Sequence, residues 1–146
     1  MICESTSLNK CLSKSSNIFF VFGSEIVLKN NSVDQINSFL NEQNFTEKKI
    51  ITEGDYSKIE NTIIENASGS LFGSKIIIEI VHQKGKIPKE ITNIFEMKNI
   101  KEFNNIALII KSSIEKINKS TKWVKLMDSL GSVSYTHLTL PTIAIV

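Results

Sequence analysis

Three apolar runs limit what this chain can become: Ile18-Phe19-Phe20-Val21-Phe22, Ile76-Ile77-Ile78 carried through Glu79 to Ile80-Val81, and Ile106-Ala107-Leu108-Ile109-Ile110. Each is too short to span a membrane and too evenly apolar for a strand with one wet face. Each therefore predicts a strand buried on both sides. Between them lie stretches whose apolar residues recur at three- and four-residue steps, the period of a helix with one buried stripe. Buried strands alternating with amphipathic helices predict an α/β fold, doubly wound around a mostly parallel sheet.

The individual elements follow from local signals. Residues 1–16 are polar with scattered apolar positions and read as a loose lead-in with one short helix. Gly23 closes the first strand, Ser24 is placed to cap the next helix, and Glu25 favours its positive end. Val33, Ile36, Phe39 and Leu40 mark that helix over about 25–42. A shorter strand is expected from Phe45 to Thr52, with Gly54-Asp55 as a breaker, then a helix over about 56–67 with Ile59, Ile63 and Ile64 as its stripe. Lys75 to Val81 is the strongest strand signal. Lys84-Gly85-Lys86 ends it, and Pro88 starts a helix facing inward through Ile91, Ile94 and Phe95. A last helix over about 119–130 presents Trp123, Val124, Leu126, Met127 and Leu130, and ends at Gly131.

At 146 residues the chain is expected to form one domain. Its net charge of +2 is too mild to indicate nucleic acid, and all 17 basic residues are lysine. Without arginine, bidentate phosphate clamping and arginine fingers are excluded. Cys3 and Cys11 have no histidine or cysteine partners at metal-ligand spacing, so a reduced, cytoplasmic protein without a bound metal is expected. Lys10 and Lys14 interrupt any apolar core of a signal peptide, and no run of apolar residues reaches membrane length.

The final stretch departs from this composition. After Asp128 there is no Asp, Glu, Lys or Arg, and Ser134-Tyr135-Thr136-His137-Leu138-Thr139-Leu140-Pro141-Thr142 also lacks the Asn and Lys frequent elsewhere. Residues 134–146 are similar to translated adapter sequence, and the expectation is a non-native read-through tail on a truncated protein. The alternative is an edge strand blunted by Pro141.

Few residues carry catalytic chemistry. Gly23-Ser24-Glu25-Ile26-Val27 stands where a phosphate-binding loop belongs, but it has one glycine and no Lys-Ser or Lys-Thr pair. Glu25 also places a negative charge where phosphate would sit, so Gly23, Ser24 and Glu25 read as a degenerate, non-functional loop. His82 lacks a nucleophile and reads as a surface histidine, while His137 falls in the tail. Glu79 reads as a residue at a strand end or beside a lysine partner. Lys116, Lys119, Lys122 and Lys125 form either a DNA-facing stripe or a solvated helix face. No cofactor and no intrinsic catalysis are expected.

One stretch is harder to dismiss. Ser70-Leu71-Phe72-Gly73 places two large apolar residues at the tip of a small, glycine-flanked turn, where water disfavours them. Either Leu71 and Phe72 tuck beneath the following strand, or they dock onto another protein, with Ser70 and Gly73 shaping the turn.

In order, Phe20-Val21-Phe22-Gly23-x-Glu25-x-x-Leu28, Ser70-Leu71-Phe72-Gly73 before an apolar strand, the strand at 106–110, and Lys122-Trp123 on the last helix form a pattern. Over residues 17–133 it resembles the N-terminal domain of the delta subunit of bacterial DNA polymerase III. That resemblance implies an AAA+-like domain with a ruined phosphate loop, in a non-catalytic subunit of a DNA replication complex. It implies that Leu71 and Phe72 insert into a pocket on the sliding clamp and favour ring opening. It also implies contact with the other clamp-loader subunits, and with DNA only indirectly, in a longer protein carrying lid and collar domains that this chain lacks. The alternative from the residues alone is a nucleotide- or nucleic-acid-binding α/β domain.

Overall fold

The computed structural model describes residues 2–4, 17–23, 25–67, 75–97, 105–114, 120–130 and 132–136. Six strands form one sheet: β1 (Ile2–Glu4), β2 (Ile18–Gly23), β3 (Phe45–Ile51), β4 (Lys75–His82), β5 (Ile106–Ser112) and β6 (Ser132–Thr136). Their order is β1-β6-β2-β5-β4-β3, and every neighbouring pair is parallel. The helices are α1 (Ile26–Glu42), α2 (Ile59–Ala67), α3 (Lys89–Thr92) and α4 (Lys122–Leu130), with 3-10 turns at Glu53–Lys58 and Asn93–Glu96.

The apolar runs are strands because their alternate residues enter different cores. Phe19 and Val21 of β2 join Ala107 and Ile109 of β5 beneath α1, where Val33, Ile36 and Leu40 face them. Ile18, Phe20 and Phe22, with Ile106, Leu108 and Ile110, meet Ile59 and Ile63 of α2, Ile91, Ile94, Phe95 and Val124 on the opposite face. Period-two alternation on a sheet covered on both sides demands apolar side chains at every position. The doubly wound α/β arrangement is the one expected.

Several boundaries differ from the sequence expectation. Ile2–Glu4 forms a strand inside the stretch read as a loose lead-in, and residues 5–16 lie outside the described residues. Gly54-Asp55 does not break the chain into a loop. It lies in a 3-10 turn, begun by the Asp55 amide donating to the Thr52 carbonyl at 2.9 Å, that leads directly into α2. Ile64 is 48% exposed, because on a nine-residue helix the buried stripe runs through Ile59 and Ile63 and position 64 turns past it. Residues 134–136 of the last stretch lie on a strand, and residues 137–146 lie outside the described residues. β6 sits inside the sheet, paired with β1 on one side and β2 on the other, so β1 forms that rim.

Glu79 has a partner. Its strand position alternates onto the α1 face, and Lys48 of β3 meets it there at 3.1 Å. The register places Lys48 opposite Ile77 and Ile50 opposite Glu79, so the pair is diagonal across neighbouring strands. Ile50, on the same face, is 55% exposed, which shows that α1 leaves this corner of the sheet partly open.

Candidate functional site

Two places bear on function, and they lie at opposite edges of the sheet. At the C-terminal edge β2 leads to α1 on one face, while β5 leads toward α4 on the other, so the chain diverges between neighbouring strands. Such a switch point leaves a crevice beyond the strand ends. Here it is a cleft of about 250 Å³ lined by Ile26, Lys29, Val81, His82, Gln83, Lys111 and Ser113.

Gly23 and Glu25 stand just before α1, whose Ile26 and Lys29 line this cleft. Gly23 has a φ of 129°, a backbone conformation that side-chain-bearing residues rarely adopt, which accounts for glycine at the strand end. Glu25 caps α1: the helix begins at Ile26, and the Glu25 carboxylate accepts from the Val27 amide at 3.1 Å. The positive end of the helix is thus already answered by a fixed anion. Ser24 lies outside the described residues.

Lys29 is the residue that sequence reasoning missed. Its side chain is buried, and the ammonium donates to the Ser112 carbonyl at 3.2 Å and to the Ser113 hydroxyl at 2.9 Å. Burial first, then the nearby charge of Lys111, holds its pKa below the ordinary 10.5. The available signal was spacing: Lys29 follows Gly23 by six positions, as the lysine follows the first glycine in Gly-x-x-x-x-Gly-Lys, although Leu28 replaces the second glycine. Lys111 donates to the side-chain oxygen of Asn30 on the same helix.

His82 is buried, contrary to the surface reading. It lies on the last position of β4, opposite Ser112 of β5. Nε2 faces the Lys86 carbonyl at 3.1 Å and must carry the proton; Nδ1, 2.9 Å from the Ser112 hydroxyl, then accepts. Ser112 in turn accepts from the Ile114 amide at 3.2 Å. The histidine ties two strand ends and the 84–86 turn together, which is a structural task.

Beside it the Tyr56 hydroxyl donates to the Val81 carbonyl at 2.6 Å. Burial, then the charges of Glu53 and Glu90, raises its pKa above 10.0. Lys29 and Tyr56 therefore pull alkaline stability in opposite directions. Below 10.5 the unfolded chain keeps the Lys29 proton longer than the fold does, so stability from this group rises with pH up to that value. Above 10.0 the fold keeps the Tyr56 proton longer, so stability falls. Denaturation midpoints measured across about pH 10 should fall more steeply in Lys29→Met than in the parent, and less steeply in Tyr56→Phe.

At the opposite edge, residues 68–74 join the end of α2 to the start of β4. Ser70, Leu71, Phe72 and Gly73 lie outside the described residues, but both anchors of the segment are described. Asn105 clasps them. Its side-chain amide donates to the Asn66 carbonyl at 2.6 Å, and its own carbonyl accepts from the Ile76 amide at 2.9 Å. Lys75 is held over the Phe45 ring, 5.2 Å from its centroid, with its ammonium on the Gln43 carbonyl at 3.1 Å. Asn105→Ala removes one arm of the clasp and should cost about 1 kcal/mol, read as a lowered urea midpoint.

The lysine stripe is partly visible. Lys122 and Lys125 are exposed on α4, and Lys122 meets Glu96 at 3.3 Å; Lys116 and Lys119 lie outside the described residues. An exposed ion pair of this kind contributes little. No helix among the described residues is long and apolar enough to cross a membrane.

Comparison with solved structures gives the fold its kinship. The chain superposes on the Bacillus subtilis DNA clamp loader delta protein (YqeN) with a TM-score of 0.59 and 12% identity, over 90% of this chain and 40% of that one. The likeness is one of fold. Saccharomyces cerevisiae RIF2 matches with a TM-score of 0.52 and 17% identity over 93% of this chain and 55% of that one. C. elegans PCH-2 gives 0.51 and 11%, over 90% and 38% respectively. This chain thus spans about two fifths of the clamp-loader protein's length. No family model and no curated protein matches the sequence.

Proposed function

We propose that this chain is the clamp-binding N-terminal module of a delta-type clamp-loader subunit, acting in DNA replication by docking rather than by catalysis. The observation that carries the reading is the superposition on a clamp loader delta protein over 90% of the chain, together with the order of motifs that resembles the same family. In this reading Leu71 and Phe72 enter a hydrophobic pocket on the sliding clamp. Ser70 and Gly73 shape the turn that presents them, and Asn105 fixes the distance between its two ends. Assembly with the other clamp-loader subunits belongs to the longer protein, and DNA is met through the clamp.

The degenerate loop fits this role. With Glu25 capping α1, the helix end that would receive a phosphate is occupied, so the module has no use for nucleotide hydrolysis and works as a wedge. Docking favours ring opening only in proportion to how much better it binds the open clamp than the closed one. The test is direct binding of the purified chain to a clamp from the same genome. The parent should bind, and the Leu71→Ala, Phe72→Ala double variant should not. Equal binding by a folded double variant would overturn the assignment.

A further inference from the structure

β3 is the outermost strand at its end of the sheet: β4 pairs with one side of it, and no described strand pairs with the other. Thr46, Glu47, Lys48, Lys49 and Ile50 are exposed in succession, a run that another element laid along this edge would bury. The free amides and carbonyls of such a rim are a template for a further strand, and charged side chains guard it against indiscriminate pairing.

Here the order of the charges also selects a partner. When two copies of one strand pair antiparallel about a two-fold axis perpendicular to the sheet, one residue lies opposite itself, and positions equally spaced on either side lie opposite each other. With Lys48 at the axis, Glu47 faces Lys49 of the second copy, and Lys49 faces its Glu47. Among the described residues neither side chain has an ion-pair partner within its own chain. The two Lys48 ammonium groups meet on the other face, but each is 3.1 Å from its own Glu79 carboxylate, so the axis carries two cations and two anions. Ile50, 55% exposed on that same face, comes to the Thr46 end of the second strand and loses water there. Moving the axis by one residue sets Glu47 against Glu47 or Lys49 against Lys49, which is destabilising.

We propose that β3 is a self-association edge, at which two copies of this chain pair antiparallel about Lys48 and join their six-stranded sheets into one. Backbone hydrogen bonds and Ile50 supply the affinity. The exposed ion pairs add little to it but fix register and partner. The proposal uses only β3 and β4 and does not depend on docking at Leu71 and Phe72.

The test is analytical ultracentrifugation of the full chain from about 10 μM to about 1 mM, a range that reads weak dimers. Expected is a monomer–dimer equilibrium, with amide exchange slowed at alternate residues of 46–50 as dimer forms. Glu47→Lys and Lys49→Glu each set like charges opposite one another twice over, and each should weaken the dimer about tenfold. Both side chains are exposed, so the variants should keep the parent's denaturation midpoint. An equimolar mixture of the two variants should associate where neither does alone. The double variant Glu47→Lys, Lys49→Glu, which exchanges the charges and keeps the net charge, should dimerise like the parent. A chain that stays monomeric throughout, a dimer that the single reversals leave unchanged, or a double variant that fails to recover association overturns the proposal.

Discussion

Phe20→Ala should unfold this protein more readily than any other single truncation on β2, lowering stability by about 3–5 kcal/mol. Phe20 is completely buried on a central strand, with β5 on one side and β6 on the other. Its ring lies 5.8 Å from Phe22 and 5.7 Å from Trp123, and Trp123 stacks on Phe95 at 6.3 Å. Removing it empties the space through which α4 and the Asn93–Glu96 turn pack on the sheet, and a rigid sheet backbone cannot close that space. Urea denaturation followed by the fluorescence of the one tryptophan reads both the midpoint and the local packing. Phe20→Leu, which keeps most of the volume, should cost less than half as much. A loss below about 1 kcal/mol for the alanine variant would contradict the position of β2 at the centre of the core.

The second large effect is on binding. Burying a Leu and a Phe side chain from water contributes roughly 1.5–3 kcal/mol each, so removing both at a docking tip should weaken the clamp complex by about 3–6 kcal/mol, at least a hundredfold. Hot spots of this kind are small and central, and flanking residues matter mainly by excluding water. Ser70→Ala should therefore change affinity far less than either Leu71→Ala or Phe72→Ala. Because Asn105 holds Asn66 and Ile76, which flank the segment, independently of its side chains, the double variant is expected to keep the parent's denaturation midpoint. Affinity lost without stability lost separates a docking pair from a buried one. If instead the double variant loses several kcal/mol of stability, Leu71 and Phe72 belong to the core.

Much of the architecture was legible in the sequence because it depends on local period. A run such as Ile106 to Ile110 can satisfy two cores only as a buried strand, and Val33, Ile36 and Leu40 can share a face only on a helix. The helix and the strand on either side of residues 68–74 were legible for the same reason, as a helical stripe and the strongest strand signal. Glu79 was also readable, because a carboxylate in an isoleucine strand requires a cation nearby, and Lys48 supplies it.

What remained hidden depends on which strands become neighbours. Lys29 meets Ser112 and Ser113 more than eighty residues later only because β5 lies beside β2 and α1 crosses their ends. His82 is buried because the last residue of β4 falls opposite Ser112 and the 84–86 turn folds back over it. Asn105 reaches the Asn66 carbonyl across 39 positions of sequence for the same reason. The sequence by itself determined the strands and the helical stripes, since each follows from residues a few positions apart. Only the tertiary structure decided the lysine cleft, the buried histidine and the asparagine clasp, because hydrogen bonds between distant residues depend on the strand order of the sheet, which no local pattern encodes.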